Sequence, residues 1–204
     1  MSAYPVVSAP YGFRPINRVD GLPYAGAFRK LPIASTYNTP IYFGDPVAIA
    51  IGGTITKSST SASEITSAVI AGVFVGCEYV NSQSQTVRAQ YYPGNAAATS
   101  AYALFVDDPM AAFKVAVANA TGVITTVAQN AVGTNMSYYA GTGSATTGDS
   151  GAWVTAASGN STATLPWRVI DVVTDTNTSS TTFVEVIVKI NTQQYNNATA
   201  NTLT

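Results

Sequence analysis

Leucine is scarce in this chain: it occurs five times in 204 residues, at Leu22, Leu31, Leu104, Leu165 and Leu203, whereas valine and threonine recur from end to end. β-Branched side chains lose rotamer freedom against the preceding turn of a helix and pack well on a pleated surface, so this balance favours sheet over helix. The expectation is an all-β body, a β-sandwich or barrel with jelly-roll-like topology among the options. No self-similar period points to a solenoid.

The first forty residues read differently from the rest. Pro5, Pro10, Pro15, Pro23, Pro32 and Pro40 recur among Tyr4, Tyr11, Phe13, Tyr24, Phe28 and Tyr37. Prolines at that density exclude both helix and central strand, so residues 1–40 are expected to form an extended N-terminal arm or an irregular wrap. Arg14, Arg18, Arg29 and Lys30, four of the nine basic residues, lie here as well. Aromatic and arginine side chains are enriched at interface hot spots. The candidate partner contacts are therefore Tyr4, Tyr11, Phe13, Arg14, Arg18, Tyr24, Phe28 and Arg29, and the alternative is an arm folded back over its own domain.

Residues 41–190 read as a β-rich body. Tyr42-Phe43-Gly44-Asp45-Pro46 is turn chemistry, and Val47 to Ile51, Gly52-Gly53 and Thr54-Ile55-Thr56 predict a hairpin. Val69 to Val80 and Thr86 to Tyr92 predict strands, the second closing at Pro93-Gly94. Tyr102 to Val106 and Phe113 to Val117 alternate as strands do, on either side of a bend at Asp107-Asp108-Pro109. Apolar residues within Val123 to Val132 fall near helical spacing and predict one short helix. Gly133 to Thr164, dominated by Gly, Ser, Thr and Ala, reads as long surface loops around a short strand. Trp167 to Val173 and Phe183 to Ile190 are two strong strands; in the second, Val184, Val186, Val188 and Ile190 share one face while Glu185 and Lys189 take the other. Residues 191–204 are polar and read as a loose C-terminal tail.

Charge narrows the function. The chain has no histidine, one cysteine, 9 Lys plus Arg and 10 Asp plus Glu, for a net charge of -1. That balance offers no basic footprint for nucleic acid, and near-zero net charge removes the self-repulsion that keeps monomers apart, a hint of assembly. No segment approaches the roughly 20 apolar residues of a membrane-spanning helix, so no membrane partner is expected. Met1 to Pro10 lacks the cationic start and apolar stretch of a signal peptide, and synthesis in a cytoplasm is the expectation. Histidine alone has an unperturbed pKa near neutrality, so its absence argues against an enzyme.

The motifs that suggest chemistry have plainer readings. Gly148-Asp149-Ser150-Gly151 matches the sequence around the nucleophile of trypsin-like proteases, but that mechanism needs a histidine base, and Ala152 stands where the pattern continues with glycine. A turn is the better reading. Asp107 and Asp108 form the one adjacent acidic pair, and on an extended strand they point to opposite faces, which does not suit a glycosidase; Glu78 and Glu185 are distant alternatives. Calcium ligation by Asp107, Asp108 or Asp149 lacks a dedicated acidic loop. Cys77, within the apolar run Gly72 to Cys77, reads as a small buried hydrophobe, since a single thiol forms neither an intrachain disulfide nor a cysteine metal site. No catalytic, cofactor-binding or metal-ligating residue is expected, and no cofactor.

Taken in order, several pieces resemble the head decoration, or cement, proteins of tailed bacteriophages. They are Tyr11-Gly12-Phe13-Arg14-Pro15, Ile41-Tyr42-Phe43-Gly44-Asp45-Pro46-Val47, Gly72-Val73-Phe74-Val75-Gly76-Cys77-Glu78-Tyr79, and Val106-Asp107-Asp108-Pro109 ahead of Phe113. Trp167-Arg168-Val169-Ile170 and Val184 to Asn191 complete the set. The resemblance implies a β-rich structural protein without catalytic residues, made in the host cytoplasm and placed on the outer capsid surface of the virion. It further implies a homotrimer at local three-fold positions that secures the major capsid protein lattice after expansion. Deleting Met1 to Lys30 is then expected to abolish head binding and leave the body folded. A second reading, from another class, is a carbohydrate-binding or adhesive β module of tail-fibre or receptor-binding type, in which those of Tyr91, Tyr92, Tyr138, Tyr139 and Trp153 that are exposed stack on sugars, at least half of the five being expected as buried core aromatics instead.

Overall fold

In the computed structural model the described residues are 10–94, 100–173 and 184–196. Among them the strands run β1 (Arg14–Arg18), β2 (Arg29–Ile33), β3 (Pro46–Ile49), β4 (Ile55–Lys57), β5 (Gly72–Val80), β6 (Thr86–Ala89), β7 (Ala101–Val106), β8 (Ala111–Ala116), β9 (Asn135–Met136), β10 (Tyr138–Tyr139), β11 (Trp153–Val154), β12 (Trp167–Val172) and β13 (Glu185–Ile190). They form an all-β sandwich of antiparallel sheets. The first sheet has the order β1-β8-β13-β12-β9. The second has the order β2-β7-β5-β3-β4, with β6 on the C-terminal half of β5, and β10 pairs with β11 beside them.

Alternation sets which residues fill the space between the sheets. Val184, Val186, Val188 and Ile190 are buried, with Glu185 and Lys189 between them on the outer side, as the sequence pattern predicts. They meet Phe113 and Val115 of β8, Trp167 and Val169 of β12, and Val73 and Val106 from the second sheet in one core. A second core of Ile33, Val47, Ile55, Phe74, Cys77 and Phe105 lies on the other side of the second sheet. The outermost strands of that sheet, β2 and β4, approach each other, so the sheet curls around this core.

Two bulges keep the cores continuous. Pairing of β5 with β7 slips between Phe74 and Gly76, and Gly76 sits at φ 152. One extra residue reverses the parity of a strand. Phe74 and Cys77, three apart, therefore face the same core. The slip between Val169 and Asp171 does the same for Val169 and Val172 in β12.

The sequence reading of residues 1–40 as an arm distinct from the body needs correction from residue 10 onward. β1 pairs with β8 and β2 with β7, each as the outermost strand of its sheet. Proline has no N–H to give to a ladder, a loss that is tolerated on the free side of an edge strand or at a bulge. Pro15 lies at a slip in the β1 register and Pro32 within the edge strand β2. The prolines exclude a central strand, as expected, but not a strand.

Three further expectations change. The helix near Val123 to Val132 reduces to a single 3-10 turn, Gln129–Ala131, without a side-chain cap. Its β-branched upstream half instead follows the sheet, with Thr125 N–H donating to Val117 O at 3.1 Å. The stretch from Gly133 to Thr164, read as surface loops around a short strand, holds three short strands instead of one, and Met136, Tyr138, Ala152 and Val154 are core residues. Its strands are two residues long, too short for a periodic pattern to register. The tail is held through residue 196, because Gln194 accepts from Ile49 N–H at 2.8 Å and donates to Ile49 O at 2.9 Å; residues 197–204 lie outside the described residues.

Candidate interaction surface

Two places gather the residues that the sequence singles out, and the first is buried. Gly12 and Gly44, at φ +80 and +91, cross so closely that a Cβ on Gly12 would stand 2.6 Å from the Ser150 Cβ. Glycine is the residue that supplies both the positive φ and the missing bulk. The crossing lets Phe13 N–H donate to Gly44 O at 3.0 Å and Gly12 N–H to Ala152 O at 3.1 Å. Phe13 then enters the main core, stacked on Trp167 at 3.9 Å between ring centroids and set edge-on to Tyr138.

Beneath the crossing, Ser150 Oγ donates to Asp45 Oδ1 at 2.6 Å and accepts from Ala152 N–H at 3.0 Å. Lys57 Nζ lies 3.0 Å from Asp45 Oδ2, with side chains only 8% and 1% exposed, and Tyr42 N–H donates to that same oxygen at 2.8 Å. The Ser150 proton is therefore committed to a carboxylate already bound by an ammonium. The Gly148-Asp149-Ser150-Gly151 motif acts here as a tie between the first strand, the loop before β3 and the loop before β11. On its flank Asp149 takes hydrogen bonds from Arg14 and Gln90, each at 2.7 Å.

The second place is one end of the sandwich, where the chain crosses between sheets twice. β1 in the first sheet leads through residues 19–28 to β2 in the second, and β7 in the second leads through Asp107-Asp108-Pro109 to β8 in the first. The bend expected at Asp107 thus joins two sheets. Ion pairs lock the crossovers together: Arg18 to Asp108 at 3.0 Å and Arg29 to Asp107 at 2.6 Å, with Val19 N–H donating to Met110 O at 2.8 Å. The described tail joins them, since Arg29 sits over the Tyr195 ring at 5.0 Å and Gln193 Nε2 donates to Asp107 O. With the charges paired, the end exposes apolar groups: Leu22 at 56%, Phe28 at 57% and Tyr195 at 43%.

The eight candidate contacts divide between these places. Tyr4 lies outside the described residues. Phe13 is wholly buried, Arg14 pairs with Asp149 while lying 4.3 Å from the Phe43 ring centroid, and Tyr11 donates its hydroxyl to Glu185. Burial, and then that carboxylate, raises the Tyr11 phenol well above its ordinary value. Arg18, Tyr24, Phe28 and Arg29 belong to the crossover end. There Tyr24 is half-buried, donating to Ala27 O at 2.8 Å, and burial followed by the Asp107 and Asp108 charges raises its phenol too. Leu22, Val69 and Tyr195 were not among the expected contacts; the lone tyrosine in an otherwise polar tail is the one signal the sequence offered.

The sugar-stacking set fares differently. Tyr92, Tyr138 and Tyr139 are buried, so no face of theirs is open to a ring. Trp153 stacks on Tyr139 at 5.1 Å, and Tyr91 on Tyr42 at 5.5 Å. Cys77 is buried as expected, and that burial pushes its thiol up to about 12. Among the described residues no helix is long and apolar enough to cross a membrane, and no cluster of His, Cys, Asp or Glu is grouped to hold a metal ion. Against this geometry, the chain matches no protein-family model, no curated protein and no solved structure.

Proposed function

We propose that this chain is a structural protein of a phage virion, a capsid decoration or cement protein that binds the outer surface of the head and stabilises the major capsid protein lattice. The observation that carries the reading is the crossover end, where Leu22, Phe28 and Tyr195 stand exposed over a framework of paired charges. With about half of each side chain still in water, covering by a partner gains roughly half of the 1.5–3 kcal/mol that burying a whole apolar side chain is worth, before ordering costs. The sequence pieces behind the resemblance also have a structural sense: Gly12-Phe13 and Gly44-Asp45 form the buried crossing, and Asp107-Asp108-Pro109 braces the exposed end.

A ligand that binds the assembled lattice better than free subunits stabilises the particle by mass action. Assembly as a homotrimer would multiply the modest affinity of one end through effective concentration. The test mixes the purified chain with expanded heads that lack it. Saturable, stoichiometric binding that raises the temperature of head disruption is expected, with loss of binding in the Leu22→Ser, Phe28→Ser double variant. Failure of the folded wild-type chain to bind heads overturns the proposal.

A further inference from the structure

Of the nine basic side chains, all but Arg168 and Lys189 are held in ion pairs among the described residues. These two are cross-strand partners: Arg168 of β12 and Lys189 of β13 stand directly opposite each other in the ladder. Both lie on the outer face of the first sheet, since their strand neighbours Trp167, Val169, Val188 and Ile190 all fill the core. The Cβ atoms of such a pair are about 4.5–5.5 Å apart, and like charges so placed destabilise a sheet. Lys189 makes no ion pair or hydrogen bond among the described residues. Asp171, the acid of β12, is set opposite Ile187 and takes the Val172 N–H at 2.8 Å.

Arg168 is also held ready. Its Nε donates to Asn135 Oδ1 at 2.9 Å, and Asn135 is 1% exposed, with its Nδ2 donating to Thr162 O at 3.0 Å. Flipping that amide would set Nδ2 against the guanidinium and Oδ1 against a carbonyl, so the orientation is fixed. With Nε engaged, the two Nη groups remain as a fork beside the Lys189 ammonium. A planar fork next to a point charge is the donor set for one oxyanion: the fork takes both oxygens and the ammonium adds a third hydrogen bond. A nucleic-acid backbone is a poorer occupant, because it demands several cations, and every other cation is already paired in a chain of net charge -1. A protein carboxylate needs only this one site.

We infer that Arg168 and Lys189 form a clamp for a carboxylate, the side chain of an aspartate or glutamate on the protein that covers the crossover end. The pair stands toward that end, since the chain runs from Lys189 through Ile190 and Asn191 to Gln193, whose Nε2 donates to Asp107 O. Charges at the rim of an apolar contact steer a partner and fix its orientation. Naming that partner as the capsid lattice rests on the proposed function above; the clamp does not.

The test supplies the missing carboxylate in two ways. A blocked tetraglutamate peptide titrated into the full chain at low salt is expected to give saturable shifts at the Arg168 Nε–H and the Lys189 backbone amide, which a tetraglutamine peptide does not reproduce. No such shifts, equal shifts with tetraglutamine, or tighter binding of decathymidylate overturns the clamp. Lys189→Glu places a carboxylate beside Arg168 from within the chain. It is expected to raise the urea midpoint of the free chain, to weaken the peptide at least tenfold and to slow association with heads at least tenfold. A lowered midpoint would mean that the cation pair is already offset in the fold, and overturns the clamp. Heads that take up wild type and Lys189→Glu at the same rate refute the partner contact. Should wild type bind no heads at all, the proposed function falls and the peptide titration still decides the clamp.

Discussion

Residues 10–18 and residues 19–29 both mix proline, aromatics and arginine, yet the first set is built into the body and the second lies across its end. Phe13 is fully buried, whereas Phe28 is 57% exposed. The difference comes from backbone, not side-chain type. Gly12 lets the chain cross Gly44 so that Phe13 drops between the sheets, while residues 19–28 only bridge from one sheet to the other. An aromatic, proline-rich segment is therefore neither arm nor wrap by composition alone. What decides is whether the chain has a place to cross.

The largest expected effect follows from that division. Deleting residues 1–30 removes all of β1, Phe13 and the start of β2, so the body is expected to unfold, contrary to a detachable arm. Circular dichroism and amide dispersion of the truncated chain check this; a folded product would restore the arm. Single substitutions put numbers on the contrast. Phe13→Ala leaves a cavity beside Trp167 and is expected to cost about 3–5 kcal/mol in urea unfolding, against less than about 0.5 kcal/mol for Phe28→Ala. Equal losses would erase the distinction.

A comparable loss tests the link under the crossing. Asp45→Ala leaves the Lys57 ammonium buried without its partner, which typically costs about 3–5 kcal/mol. Replacing both by apolar residues, Asp45→Leu with Lys57→Met, is expected to recover much of that, because the buried pair is expensive to break and only modestly favourable as a whole. No recovery in the double variant would assign the loss to the Ser150 and Tyr42 hydrogen bonds instead.

Much of this architecture was legible in the sequence, for a physical reason. Strands with one buried face announce themselves by alternation, so Val184 to Ile190 and β7 are readable from side-chain period, while the β3–β4 hairpin is marked by its Gly52-Gly53 turn. Bulges spoil that reading locally: Phe74 and Cys77, or Val169 and Val172, share a core across a spacing of three that no strand period predicts. Two-residue strands such as β10 and β11 hold too few side chains to show any period at all. The candidate surface was half legible. Arg18, Tyr24, Phe28 and Arg29 could be chosen by type, but Tyr195 and Gln193 join them only because the chain returns to this end after β13.

The smallest effect concerns how the two regions are held. In the buried crossing the ion pair is shielded from salt, whereas the exposed end depends on pairs open to water, which are screened and individually weak. Asp20 shows this: its hydrogen bond from Arg18 holds the carboxyl below its ordinary value of 3.8. A depressed acid stabilises the fold above its unfolded pKa, and that contribution is lost as pH falls through the folded value. Acidification below 3.8, or added salt, is thus expected to loosen residues 19–28 while Phe13 stays packed. Hydrogen exchange at Leu22 and at Phe13 separates the two. Faster exchange at Leu22 alone is expected, and Arg18→Gln should return the Asp20 titration towards its ordinary value; equal acceleration at both sites would mean that the end and the crossing open as one unit.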